Sequence, residues 1–197
     1  MPPRRHQVTR IEGFSDAVFG FALTLLVVSL EVPNSVDRLL QDLQGLVGFA
    51  LMFAMVCWIW YEHNVFFRNY GLEGPWTVFL NSVLLFVVLF YVYPLKFLTA
   101  ALMKEFFDIG AEGGPRLTSP NDGAALMLLY STGVVLIFGV FVLLYYHAWR
   151  KRAALDLSTS DELSLKYGMR GHVISMGLGL TSLAIVSISG NLAGRRA

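Results

Sequence analysis

Two carboxylates four residues apart, Glu12 and Asp16, open the first long apolar run, in the stretch Arg10-Ile11-Glu12-Gly13-Phe14-Ser15-Asp16. On a helix they share a face and repel each other. A charge carried into lipid is costly, so such residues mark function by default. The repulsion calls for a nearby cation or for protonation of one carboxylate. Arg10, six positions before Asp16, points about 240° away around a helix of 3.6 residues per turn. The partner is therefore expected from another helix or another subunit, with His63, Arg68 or Lys96 as candidates. The plainer alternative is a solvated helix start at the membrane surface.

Other chemistries fit less well. Ser15, Asp16 and His63 can be drawn as hydrolytic partners, but no Gly-x-Ser-x-Gly elbow surrounds the serine. The four histidines, His6, His63, His147 and His172, lack metal-ligand spacing, and the single thiol, Cys57, does not complete a site. No metal site and no cofactor are expected. His147 and His172 are predicted at the membrane interface, and Glu62 beside His63 reads as half of a structural salt bridge, with a proton relay as the alternative. Ser175, Gly177, Gly179 and Ser182 give one helix a small face for close packing.

The elements that must position these residues are membrane helices. Of 197 residues 55% are hydrophobic and only 15% charged, against about 25% charged in a soluble domain. A net charge of +1 argues against a nucleic-acid partner. A span needs roughly 20 apolar residues, and five segments qualify: about 14–32, 46–67, 76–102, 124–149 and 172–192. The first is read as a retained span, because no cleavage site follows the basic start MPPRRHQVTR. Val36–Gln44 is amphipathic and expected at the interface, and Asp108–Asp122, rich in Gly and Pro, reads as a loop. Trp58, Trp60, Tyr61, Trp76, Tyr91, Tyr93, Tyr145, Tyr146 and Trp149 gather near span ends as an aromatic belt. Arg4, Arg5, Arg10, Arg68, Arg150, Lys151, Arg152, Lys166 and Arg170 fall on one side of this topology. Arg38, Lys96, Lys104, Arg116, Arg195 and Arg196 fall on the other. The richer side is the cytoplasmic one, so the N-terminus is expected inside. The whole chain reads as a single all-α transmembrane domain.

Arg10-x-x-x-Phe14-Ser15-Asp16, followed by Ala17-Val18-Phe19 and Thr24-Leu25-Leu26-Val27, resembles the first-helix signature of the potassium channels named after transmembrane protein 175. Trp60-x-x-His63-x-x-x-Phe67-Arg68 is similar to the end of that family's second helix, and Asn81 through Pro94 to its third. The resemblance implies a potassium channel of the bacterial plasma membrane, with six helices per subunit assembled as a homotetramer around a central pore lined by the first helix. It implies that Arg10, Phe14, Ser15, Asp16 and His63 form a polar network that holds that helix. Its only partners would be potassium ions in transit, the lipid bilayer and further copies of the chain. The chain departs from the family in showing five spans where six are usual, and in carrying Asn64 where the family often has a second histidine.

No threonine–glycine filter of the ordinary potassium-channel type is present, so selectivity would rest on helix side chains. Phe21, Leu25 and Val28, at i, i+4 and i+7, form an apolar stripe with Thr24 one step aside. In the family's pattern the position five after the motif aspartate is the narrowest hydrophobic ring, usually isoleucine. Here it is Phe21, with Gly20 beside it leaving room for the ring to swing. The rival readings are a proton-coupled secondary transporter using Glu12, Asp16 and His63, an intramembrane enzyme, and a non-conducting structural member of the same family. Transporters commonly show inverted repeats of broken helices, and none is visible.

Overall fold

The structure, a computed structural model, describes residues 8–28, 34–36, 40, 46–107 and 119–194. Five helices cover most of them: α1 (Arg10–Val28), α2 (Leu46–Tyr70), α3 (Pro75–Phe107), α4 (Pro120–Arg150) and α5 (Thr159–Gly194). Four of these, α2 to α5, are long and apolar enough to cross a membrane. The protein is therefore an all-α membrane protein. The fifth expected span is α1, whose 19 described residues include Arg10, Glu12 and Asp16. The end of that span after Val28, most of the amphipathic stretch 36–44 and the loop residues 108–118 lie outside the described residues.

Three helices begin on the same device, a hydroxyl and a carboxylate three residues apart that exchange hydrogen bonds with each other's backbone N–H. At α1 Thr9 N–H donates to Glu12 Oε2 at 2.8 Å and Glu12 N–H to Thr9 Oγ1 at 3.3 Å. At α4 Ser119 is paired with Asp122, and Pro120 occupies the first turn, where its missing N–H costs nothing. At α5 Ser158 N–H donates to Asp161 Oδ2 at 3.1 Å and Asp161 N–H returns to Ser158 Oγ at 3.2 Å. The box at Ser119 corrects the expected loop Asp108–Asp122, because its last three residues are already helical. Gly71, at φ +54°, closes α2 in the left-handed conformation that glycine adopts without strain. α3 runs unbroken through Pro94, whose carbonyl accepts from the Tyr130 hydroxyl of α4.

α1 packs on α2 and α3, α2 on α3, and α3 on α4, while α4 and α5 form the most extensive pair. The result is a three-helix unit with an antiparallel hairpin, α4–α5, set against α3. One apolar core joins them, including Phe19 and Leu26 of α1, Phe66 and Phe67 of α2, Leu84 of α3, Phe141 and Leu144 of α4 and Leu165 of α5. Within the hairpin α5 comes close to α4 at Gly168, beside the Tyr145 ring, and again at Gly179. A β-carbon there would lie 2.8 Å from Val135 Cγ2 and 3.1 Å from Val134 Cγ1. One turn on, the hydroxyl of Ser131 donates to that of Ser182 at 2.7 Å. The small face of α5 thus consists of Gly179 and Ser182, whereas Gly177 faces open space.

Candidate functional site

α1 has two unlike faces. Ser15, Phe19, Ala22 and Leu26, at i, i+4, i+7 and i+11, are 0%, 2%, 0% and 1% exposed and pack into the chain's own core. Phe14, Phe21 and Leu25 are 61%, 58% and 39% exposed. Thr24 is exposed beside them, its hydroxyl turned back to the Gly20 carbonyl at 2.8 Å. Among the described residues, nothing beyond its own stretch of α1 comes within 4 Å of a β-carbon built on Gly20, so the space there is open. Val28 ends the described part of α1, and its side chain lies outside the described residues.

The buried face is fastened by a polar junction of three helices. Asn81 of α3 donates from Nδ2 to Ser15 Oγ at 2.9 Å, and Ser15 Oγ donates in turn to the Ile11 carbonyl at 2.8 Å. Asn81 Oδ1 lies 2.8 Å from His63 Nε2 of α2. With the amide oxygen as acceptor, the imidazole proton of that bond sits on Nε2. All three side chains are buried, so each bond acts in a low-dielectric interior where loss of a partner is costly. Phe19 and Phe67 pack on the His63 ring at centroid distances of 5.6 and 4.5 Å. His63 Nδ1 and Thr77 Oγ1 are buried in the same bundle without hydrogen-bond partners among the described residues.

Asp16 is met separately. The Trp60 indole N–H of α2 donates to Asp16 Oδ1 at 2.7 Å. The two carboxylates thus take different donors. Glu12 turns back to Thr9 N–H at the positive end of the helix, and Asp16 takes a neutral indole donor. His63, Arg68 and Lys96 were the expected partners of Asp16, and none of them is its hydrogen-bond donor: His63 turns to Asn81 and Arg68 stays exposed, while Lys96 sits beyond Pro94. A planar N–H on a long side chain reaches the carboxylate across α1 and α2 as a cation would.

Of the residues singled out in sequence, Ser15 and His63 are brought together through Asn81, and Asp16 lies beside them on Trp60. Arg10 and Phe14 lie on the exposed side of α1 and do not enter this junction. Asn81 and Trp60 complete the site. The signal for Asn81 was present, as an amide inside an apolar run. Two further expectations are corrected. His172 is buried, 5% exposed, because α5 starts at Thr159 and the histidine lies well inside it. Glu62 faces His172 and not its chain neighbour His63, since adjacent helical positions point apart.

Residues 10–91 match the family described as endosomal/lysosomal potassium channel TMEM175. A protein named potassium channel from Marivirga tractuosa is 38% identical over 190 residues, spanning 94% of this chain and 77% of its own. Another so named, from Chamaesiphon minutus, is 30% identical over 112 residues, 53% of each chain. Among solved structures, the potassium channel MtTMEM175, crystallised as a variant with a nanobody–MBP fusion, superposes with a TM-score of 0.86. It is 37% identical and covers 96% of this chain and 85% of its own. A TMEM175 homologue from Chamaesiphon minutus, 24% identical, shares the fold with a TM-score of 0.57 over 90% of this chain and 89% of its own. The fold is thus that of a solved potassium channel along nearly the whole chain, and this chain belongs to the TMEM175 family of potassium channels.

Proposed function

We propose that several copies of this chain, four in the expected assembly, surround a potassium-permeable pore in a bacterial plasma membrane, with α1 lining the pore. The observation that carries this reading is the division of α1. One face is locked into the subunit by Ser15, Asn81 and His63, and the opposite face leaves Phe21, Thr24 and Leu25 exposed. Repeated around an axis, Phe21 and Leu25 form stacked hydrophobic rings, with the Val28 position one turn further on. A hydrated ion passes such rings by shedding water, and narrow apolar rings gate by dewetting. Phe21 fills more space than an aliphatic side chain would, so the resting pore is closed at that level. The junction of Ser15, Asn81 and His63, with Trp60 on Asp16, sets the rotation of α1 and therefore which face meets the ion. Arg10 and Phe14, exposed in the single chain, meet their partners in the assembly.

The test is potassium flux into liposomes, followed by a dye under a valinomycin-set potential. Phe21→Ala is expected to conduct faster than wild type and Leu25→Ala to do so less strongly, with Ile185→Ala on the outer face of α5 unchanged. A Phe21→Ala oligomer that conducts no better than wild type removes Phe21 from the constriction. Flux that saturates steeply and needs a proton gradient replaces the channel with a coupled transporter.

A further inference from the structure

Glu62 and His172 form a second ionisable site, on the far side of α2 from the junction with α1. His172 is 95% enclosed, its exposure being 5%, and three rings of α4 surround it. Phe141 stacks on the imidazole at 4.8 Å and 13°, Tyr145 lies at 5.0 Å and Phe138 at 5.8 Å. Its Nε2 has no hydrogen-bond partner among the described residues. That nitrogen points at Glu62 Oε2 of α2 across 3.7 Å, within ion-pair range and too long for a hydrogen bond. An imidazolium placed there would have a carboxylate ahead of it and aromatic faces around it, the two surroundings that favour a buried cation. α5 otherwise packs chiefly on α4, so this contact ties the outer helix directly to the inner unit.

We propose that Glu62 and His172 are a proton-operated clamp: one proton taken up by His172 turns the 3.7 Å approach into a charge-assisted hydrogen bond that fastens α5 to α2. The groups facing His172 are Glu62 from α2 and Tyr145 from α4, the latter bordered by Tyr70 of α2 at 5.8 Å. Both phenols are uncharged below about pH 8, so among the described residues the carboxylate is the charged group that the imidazole meets across the helix boundary. α2 carries the clamp and the pore-helix junction on consecutive residues, Glu62 toward α5 and His63 toward α1 and α3. Where α1 lines the pore as proposed above, acidification therefore acts on the support of the pore helix.

The direct test is the ¹⁵N spectrum of the histidine side chains in lipid nanodiscs between about pH 8 and 3, with His172→Phe identifying the His172 signals. In wild type the His172 nitrogens are expected to titrate, and Glu62→Gln to weaken proton binding at least about tenfold, one unit in midpoint. A His172 spectrum constant across the range, or a midpoint unmoved in Glu62→Gln, overturns the clamp. Glu62→Gln preserves side-chain size and carries the test even where His172→Phe fails to assemble. In liposomes the pH dependence of potassium flux is expected to disappear in both variants. Its persistence in both, with the titration intact, overturns the link to conduction. Wild-type protein that titrates but passes no potassium counts against the pore and leaves the clamp standing.

Discussion

Asn81 donates to Ser15 and accepts from His63, so one amide on α3 holds α1 and α2 at once. Removing it strands the Nε2–H of His63 and an acceptor position on Ser15 inside the bundle. A buried group left without its partner costs about 1–3 kcal/mol. Asn81→Ala is therefore expected to lower the melting temperature in detergent more than Ser15→Ala, whose hydroxyl otherwise turns to its own backbone. Equal melting temperatures for Asn81→Ala and wild type would show that the junction contributes no stability. The first-helix half of this site was legible in sequence, because Ser15 and Asp16 sit at fixed spacing at the entrance to an apolar run. Trp60 as the partner of Asp16 was not. Spacing along one helix says which residues share a face, but a carboxylate is satisfied as well by an indole as by a cation. Which of them arrives is decided by how α1 and α2 cross.

The spans were legible as elements, since mean hydropathy of +0.58 and long apolar runs leave few alternatives to membrane helices. Where the helices begin was less so. Hydropathy marks the lipid-embedded stretch, whereas the helix starts at its cap, and α5 begins at Thr159 well ahead of the apolar run. The hydroxyl-x-x-carboxylate pattern at Thr9, Ser119 and Ser158 was the readable signal. The small face of α5 was half legible. Ser175, Gly177, Gly179 and Ser182 were visible as small residues, but only the crossing of α4 shows which of them it meets. Gly179→Ala places a methyl 2.8 Å from Val135 Cγ2, and overpacking of this kind costs about 1–3 kcal/mol. Gly177→Ala meets nothing within 4 Å and is expected to be neutral or slightly stabilising. Thermal melting of the two variants side by side checks this, and similar losses in both would mean that α5 is rotated from the position described.

At the scale of the molecule, alternating helices bring the start of α1, the end of α2, the start of α3 and the α4–α5 turn to one end of the bundle. Tyr70 at the end of α2 meets Tyr145 near the end of α4 at 5.8 Å, and Lys151 Nζ lies 3.5 Å from a β-carbon built at Gly74. Arg10, Arg68, Arg150, Lys151, Arg152, Lys166 and Arg170 therefore share that end. The described residues place only Lys96 and Lys104 among the cations of the other. Trp149 holds two of these cations near its ring, Arg152 at 4.4 Å and Lys166 at 4.8 Å, which anchors the basic end beside an aromatic residue suited to the lipid–water boundary. Cationic loops are retained on the cytoplasmic side during insertion, so the basic end, and the N-terminus with it, is expected to face the cytoplasm. The check uses a Cys57→Ser background with a single new thiol and a membrane-impermeant reagent applied to intact cells. Ser119→Cys, at the opposite end between α3 and α4, should be labelled from outside. Arg152→Cys should be labelled only after the membrane is opened. Strong labelling of Arg152→Cys in intact cells would invert the protein in the membrane and put the N-terminal motif of α1 at the outer mouth of the pore.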